Sequence, residues 1–217
     1  VETRAVVVVS DSQAAQQVAQ DMEHILQNEY HTTDPALFVK AEAVEAAGLP
    51  LDPSSTAKVI CMLQCLPNGI EAMSAEIHGL VQTSLNMGIL VTGEDTVQAS
   101  YSVRSSVDSQ KQMLKERLSC LMEQLGGRVE FTGEYTGWQY QEESPLRELM
   151  VEVFRNQYGK DPKIEAIHAG LECGIFAGKM PGLDCVSLGP DLLEIHTPRE
   201  KMSISSVQRV WTFLLEV

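Results

Sequence analysis

Ser84-Leu-Asn-Met-Gly-Ile-Leu-Val-Thr-Gly-Glu-Asp-Thr-Val-Gln-Ala-Ser-Tyr-Ser-Val-Arg-Ser105 is the stretch whose pattern decides the fold. Two strand-favouring arms flank Thr92-Gly93-Glu94-Asp95, which has the composition of a hairpin turn. In the second arm Val97, Ala99, Tyr101 and Val103 fall at every second position, so they share one face of a sheet. The spacing predicts antiparallel strands over 84–91 and 96–105. Directly after them, Asp108 opens a helix to about residue 124, with Met113, Leu114, Leu118, Leu121 and Leu125 as its apolar stripe and Gly126-Gly127 as its stop. Hairpin followed by helix is the order of an α+β sandwich, with helices on one face of an antiparallel sheet.

Working toward the N-terminus, Thr56 to Leu66 reads as a helix stopped by Pro67-Asn68-Gly69. Ser12 to Asn28 carries Val18, Met22, Ile25 and Leu26 at helical spacing. Ala5-Val-Val-Val-Val9 is a β-branched run bounded by Ser10-Asp11-Ser12, and 35–43 alternates, so both are predicted strands. Toward the C-terminus, 129–131 is predicted as a strand, followed by a Gly- and aromatic-rich crossing, Thr132-Gly-Glu-Tyr-Thr-Gly-Trp138. Ser144-Pro145 starts a helix that runs to Tyr158. Short strands over 163–167 and 184–188, a helical turn over 170–177 and a last helix over 203–216 complete an α/β alternation. The change of style places a boundary after residue 134, and 135–217 is too short for a doubly wound domain, so it reads as one piece of one.

Composition excludes several functions. The 217 residues carry 16 Lys+Arg against 30 Asp+Glu, a formal charge of -14 that repels phosphate backbones and argues against nucleic-acid binding. No stretch approaches the roughly 20 apolar residues of a membrane span. The five cysteines, Cys61, Cys65, Cys120, Cys173 and Cys185, form neither a disulfide framework nor a zinc ribbon; reduced cytoplasmic thiols are expected, with Cys61 and Cys65 facing a core. The chain opens on Val1 and not Met, which suggests a segment of something longer.

Two clusters could carry chemistry. His168-Ala-Gly-Leu-Glu-Cys-Gly174 follows a predicted strand, and such strand ends are where α/β sheets bind ligands. Its bland reading is a tight turn. Glu194-Ile-His196-Thr-Pro-Arg-Glu200 places a histidine in a Pro-interrupted loop, from which an imidazole can reach a metal. Taken alone, that is more often a surface histidine. Arg104, at a strand end, could clamp a carboxylate through two parallel hydrogen bonds or simply be solvated. No phosphate loop, HExxH or EF-hand loop occurs.

These strings together resemble one family. Ile167-His-Ala-Gly-Leu-Glu-Cys-Gly174, Ser187-Leu-Gly-Pro190, Ile195-His-Thr-Pro-Arg-Glu200 and Ser203 to Trp211, with Gly79 to Gly88, Tyr101-Ser-Val-Arg-Ser-Ser106 and Tyr135-Thr-Gly-Trp138 upstream, are similar to the Xaa-His dipeptidases. Those are aminoacyl-histidine dipeptidases of the dinuclear-zinc aminoacylase, tripeptidase and glutamate carboxypeptidase metallopeptidase family. The resemblance implies an α+β lid over 1–134, which often dimerises, and the C-terminal part of an α/β zinc-peptidase catalytic domain over 135–217. It implies a cytoplasmic enzyme, a dipeptide substrate, a homodimer formed through the lid, and two zinc ions or other divalent metals in the intact protein. Residue by residue, His196 matches the family's C-terminal metal-ligand histidine, Arg104 the lid arginine on the substrate carboxylate, and His168, Gly170 and Glu172 the loop lining the substrate site. No catalytic base is matched, so this chain alone is expected to be inactive. A non-catalytic dimerisation or binding module is the alternative.

Overall fold

The computed structural model describes residues 2–45, 48–167 and 171–217. The chain divides into two compact units, Val1–Ile60 and Cys61–Val217.

The first unit is built on α1 (Ser12–Tyr30). Its cap is Asp11, whose carboxylate accepts from Gln13 N at 2.9 Å and Ala14 N at 3.0 Å, satisfying two of the amides that a helix start leaves unpaired. The returning chain is tied to α1 where Gln27 Nε2 donates to Leu37 O and Val39 N donates to the Glu23 carboxylate. Neither strand expected in this unit forms. Residues 5–9 and 35–43 make no ladder, and Val8 is 67% exposed. β-branching favours a pleated backbone, but a strand also needs a neighbour to accept its hydrogen bonds.

Helix α2 (Pro53–Cys65) starts beneath Asp52, whose carboxylate accepts from Ser54 N, Ser55 N and Ser55 Oγ. The Ser55 hydroxyl bond leads the interactions that hold the Asp52 carboxyl below its usual range. In the second unit, Met62 on the last turns of α2 and Leu66 just after it enter the core. Cys61 is half-buried and Cys65 exposed, so the core-facing reading of these thiols is corrected: the neighbouring Met62 and Leu66 occupy that stripe.

The sheet is three-stranded and antiparallel, ordered β1 (Gly69–Met73), β2 (Val81–Thr92), β3 (Val97–Ser105). The hairpin is as predicted; β1 was not anticipated. Leu85 pairs with Val103 and Met87 with Tyr101, and the register then shifts between Met87 and Ile89, a bulge around Gly88. Helix α3 (Asp108–Gln124) packs on this sheet through Leu114 and Leu118. These two join Met62, Leu66 and Leu85 in one cluster, flanked by Val97, Ala99, Tyr101 and Val103. The alternating face read from the hairpin is therefore the core face, covered by α3 and by Met62 and Leu66. Met113, expected in the stripe, is exposed.

After the crossing come α4 (Pro145–Tyr158), α5 (Glu172–Lys179), a minimal hairpin of β4 (Leu192–Leu193) and β5 (Lys201–Met202), and α6 (Ile204–Glu216). Ser144 caps α4 by accepting from Arg147 N, and Gly159, at φ 67, ends it in the left-handed conformation that glycine adopts without penalty. Helices α4 and α6 meet through Phe154 and Phe213, edge to face at 5.9 Å. The expected strands over 129–131, 163–167 and 184–188 form no ladder; Ile164, Ile167 and Leu188 stay exposed.

Candidate functional site

The end of β3 is fixed first. The hydroxyls of Thr83 and Ser105 lie 2.8 Å apart across the β2–β3 pair, both buried, and Thr83 Oγ1 also donates to the Gln110 side chain on α3. Val107 N donates to Ser105 Oγ at 3.0 Å. Arg104, paired across the ladder with Ser84, is thus carried on a strand end whose backbone is held from two sides.

The crossing is then clamped to α3. Asp108 accepts from Gly137 N at 3.0 Å and from Lys111 Nζ at 2.8 Å, and Lys111 Nζ also donates to Tyr135 O. The Lys111 bond, followed by the Gly137 amide, pulls the Asp108 carboxyl below its usual range. Lys115 holds Glu134 at 2.7 Å and lies over the Phe131 ring.

On its other side the crossing carries α5. A methyl group at Gly174 would stand 2.8 Å from Thr136 O, and one at Gly178 2.4 Å from Thr136 Oγ1. A methyl at Gly137 would meet Ser106 O at 2.5 Å. The segment 136–138 is therefore sandwiched between the end of β3 and α5, with glycine at each contact. Of the 168–174 string, Gly174 serves close backbone packing.

A further clamp orients α4. Asp184 accepts from Ser144 Oγ at 2.6 Å and from Leu146 N at 2.8 Å. The Ser144 bond, then the Leu146 amide, with the Arg147 charge adding, lowers the Asp184 carboxyl. Arg147 itself spans the carbonyls of Gln141 and Glu142 and stacks on Tyr140 at 4.8 Å.

These elements enclose a cavity of about 960 Å³, whose wall includes Arg104, Trp138, Arg147, Glu165, Leu171 and Asp191. Of the predicted site residues, Arg104 lines it. His168 and Gly170 lie outside the described residues, but Ile167 and Leu171 on either side of that segment both line the cavity. Glu172 is exposed in the first turn of α5 and off the wall, although Leu171 and Gly174 are on it. His196 is exposed and also off this wall. It sits in the loop between β4 and β5, at φ 65, with its amide donating to the Glu200 carboxylate at 2.8 Å. Among the described residues no three His, Cys, Asp or Glu side chains converge to hold a metal, so they do not by themselves fit a two-ion centre. Trp138, Tyr140 and Arg147 were missed as wall residues; the aromatic-rich composition of the crossing was their visible signal.

The architecture defines a class of protein. It superposes on the aminoacylhistidine dipeptidase of Vibrio alginolyticus with a TM-score of 0.82 and 31% identity, over 94% of this chain and 42% of that one. The fold is that part of an aminoacylhistidine dipeptidase fold. The aminopeptidase PepT of Bacillus cereus shares the fold alone, with a TM-score of 0.59 and 20% identity over 75% of this chain and 44% of that one. In sequence, the chain is a homologue of the cytosol non-specific dipeptidase of Escherichia coli K12, 35% identical over 195 residues, which are 90% of this chain and 40% of that protein. The resemblance read from the motifs is thus borne out, and the chain spans about 40% of the length of these relatives. No protein-family model matches it. No described helix is long and apolar enough to cross a membrane.

Proposed function

We propose that this chain carries the substrate-carboxylate clamp and one metal-ligand histidine of a cytoplasmic metallodipeptidase which, at the full length of its relatives, hydrolyses Xaa-His dipeptides. Residues 1–134 belong to a lid that dimerises, and 135–217 to the C-terminal part of the catalytic domain. The observation that carries this reading is the 35% identity over 195 residues to a dipeptidase, in a chain whose Arg104 lines a large cavity. Arg104 pairs with the terminal carboxylate of the dipeptide, a planar fork meeting a planar anion. His168, Gly170 and Glu172 take the substrate-binding role that the family resemblance assigns to their string. His196 offers its imidazole to a divalent ion, zinc by preference, from a loop whose backbone is already set. The remaining donors of a two-ion centre come from outside the described residues.

The test compares two proteins, this chain and one of the relatives' full length. Metal content is measured by elemental analysis, and hydrolysis of carnosine and a panel of Xaa-His dipeptides is followed by amine release. The long protein should bind metal and turn over dipeptides, and lose both metal and turnover on His196→Ala; this chain should show no turnover at added millimolar zinc. A long protein that binds no metal and cleaves no Xaa-His dipeptide would end the proposal, and turnover by the 217-residue chain would end its account of the missing donors.

A further inference from the structure

Cys61 and Cys65 stand one helical turn apart near the end of α2, with their sulfurs 3.9 Å from each other. Three features fix what such a pair can do. The helix holds side chains at this spacing with Cβ atoms about 5–6 Å apart, while a disulfide needs roughly 3.5–4.5 Å. Oxidation to each other is therefore opposed by the helix itself. Two thiolates on one tetrahedral ion, at metal–sulfur distances of about 2.3 Å, lie about 3.8 Å apart. The observed separation matches that bite without any movement of the helix. Finally, the pair is reachable: Cys65 is exposed and Cys61 half-exposed, while the adjacent Met62 and Leu66 anchor the helix in the core and keep the sulfurs in place.

We propose that Cys61 and Cys65 form a two-thiolate clamp for a soft, closed-shell divalent cation such as Zn²⁺ or Cd²⁺. Among the described residues no third His, Cys, Asp or Glu joins a metal-holding group there, so water fills the ion's other positions. Binding exchanges protons for metal: each thiol gives up its proton as its sulfur becomes a ligand, two protons released per ion bound. That exchange makes uptake pH-dependent. Higher pH strengthens binding, and acid releases the ion.

The reduced 217-residue chain titrated with Cd²⁺ tests this. Sulfur-to-cadmium charge-transfer absorption should saturate at one ion per chain, with about two protons released into a weakly buffered solution. Cys61→Ser and Cys65→Ser each retain the far-ultraviolet dichroism of the parent but weaken binding by at least about tenfold, the scale on which even outer-shell losses register. Cys120→Ser and Cys173→Ser leave the titration unchanged. Absorption that survives Cys61→Ser or Cys65→Ser, or that disappears with Cys173→Ser, overturns the proposal.

Discussion

Replacing Gly178 by alanine tests the seating of α5 on the crossing. The added methyl would stand 2.4 Å from Thr136 Oγ1, 2.7 Å from its Cβ and 3.0 Å from its Cγ2. Carbon atoms in contact prefer about 3.5–4.0 Å, so the overlap approaches 1 Å. Rotation about χ1 can move Oγ1 and Cγ2 but not Cβ, which rides on the backbone, so α5 must lift. Two terms oppose each other. Alanine in place of glycine favours the helix by about 0.8–1 kcal/mol. Overpacking at a filled contact costs about 1–3 kcal/mol. The net expectation is a destabilisation of about 1 kcal/mol. Gly174→Ala meets the Thr136 carbonyl at 2.8 Å, and Gly137→Ala meets the Ser106 carbonyl at 2.5 Å and its carbon at 2.7 Å. Neither backbone group can rotate away, so both variants should cost more than Gly178→Ala, up to about 3 kcal/mol. Urea unfolding followed by tryptophan fluorescence and helical dichroism gives the three values. Thr136→Ala removes two of the three clashing atoms, so Gly178→Ala should cost at least about 0.5 kcal/mol less in that background, a coupling expected only of residues in contact. A Gly178→Ala variant that is more stable than the parent, by the helix-propensity increment and equally in both backgrounds, would refute the packing argument.

Two further outcomes follow from the clamps around the cavity. Asp184→Ala leaves the buried Ser144 hydroxyl and the Leu146 amide without their acceptor, and should cost about 1–2 kcal/mol at pH 7 by urea midpoint. Because the folded Asp184 and Asp108 carboxyls both lie below their ordinary values, their stabilisation is fully present above the unfolded value of about 3.9 and is lost as pH falls through the lower folded values. The acid limb of the stability profile below pH 4 should therefore be shallower in Asp184→Asn, and an unchanged limb would contradict the assignment. In a protein of the relatives' full length, Arg104→Ala should lower kcat/KM for dipeptides about 10- to 100-fold, the worth of a charged hydrogen bond, while carboxyl-amidated dipeptides lose nothing further. Equal losses on both substrates would remove Arg104 from the carboxylate.

Helices were legible because their signals are local. Ser144-Pro145 and Gly159 mark both ends of α4 within the segment itself, and the 108–124 stripe reads directly onto the Leu114 and Leu118 core. Strands were legible only where their partner lay next in sequence, as across the 92–95 turn. The runs at 5–9, 163–167 and 184–188 have the right residues, but no local pattern specifies a neighbour, and none of them has a ladder partner among the described residues. The strand β1 failed in the other direction: Ile-Glu-Ala-Met carries little alternation, and its pairing with β2 was the deciding information. At the site, Arg104 could be placed from its strand end. The spacing of Gly174 and Gly178, four apart on one helix face, was the available signal for close packing of α5 on the crossing.

The His196 loop shows how a position can be set with almost no burial. Glu194 at φ 52 and His196 at φ 65 both adopt left-handed backbone, which costs a residue with a side chain of order 1 kcal/mol or more. Such strain persists only where surrounding contacts over-determine it. Here the Glu200 carboxylate accepts from His196 N, the Thr197 hydroxyl donates to Glu194 O at 2.7 Å and accepts from Arg199 N, and the Arg199 guanidinium returns to Glu194 at 3.2 Å. Below them the base of the loop is tied by Ser203 N to Asp191 O, by Asp191 N to Ser206 Oγ, and by Arg209 to the Asp191 carboxylate. The side chains of Glu194, Thr197, Arg199 and Glu200 hold two unfavourable backbone angles, one of them at His196. What the hydrogen bonds fix is the His196 backbone, and in the proposed function that fixed backbone is the base from which the imidazole would reach a metal.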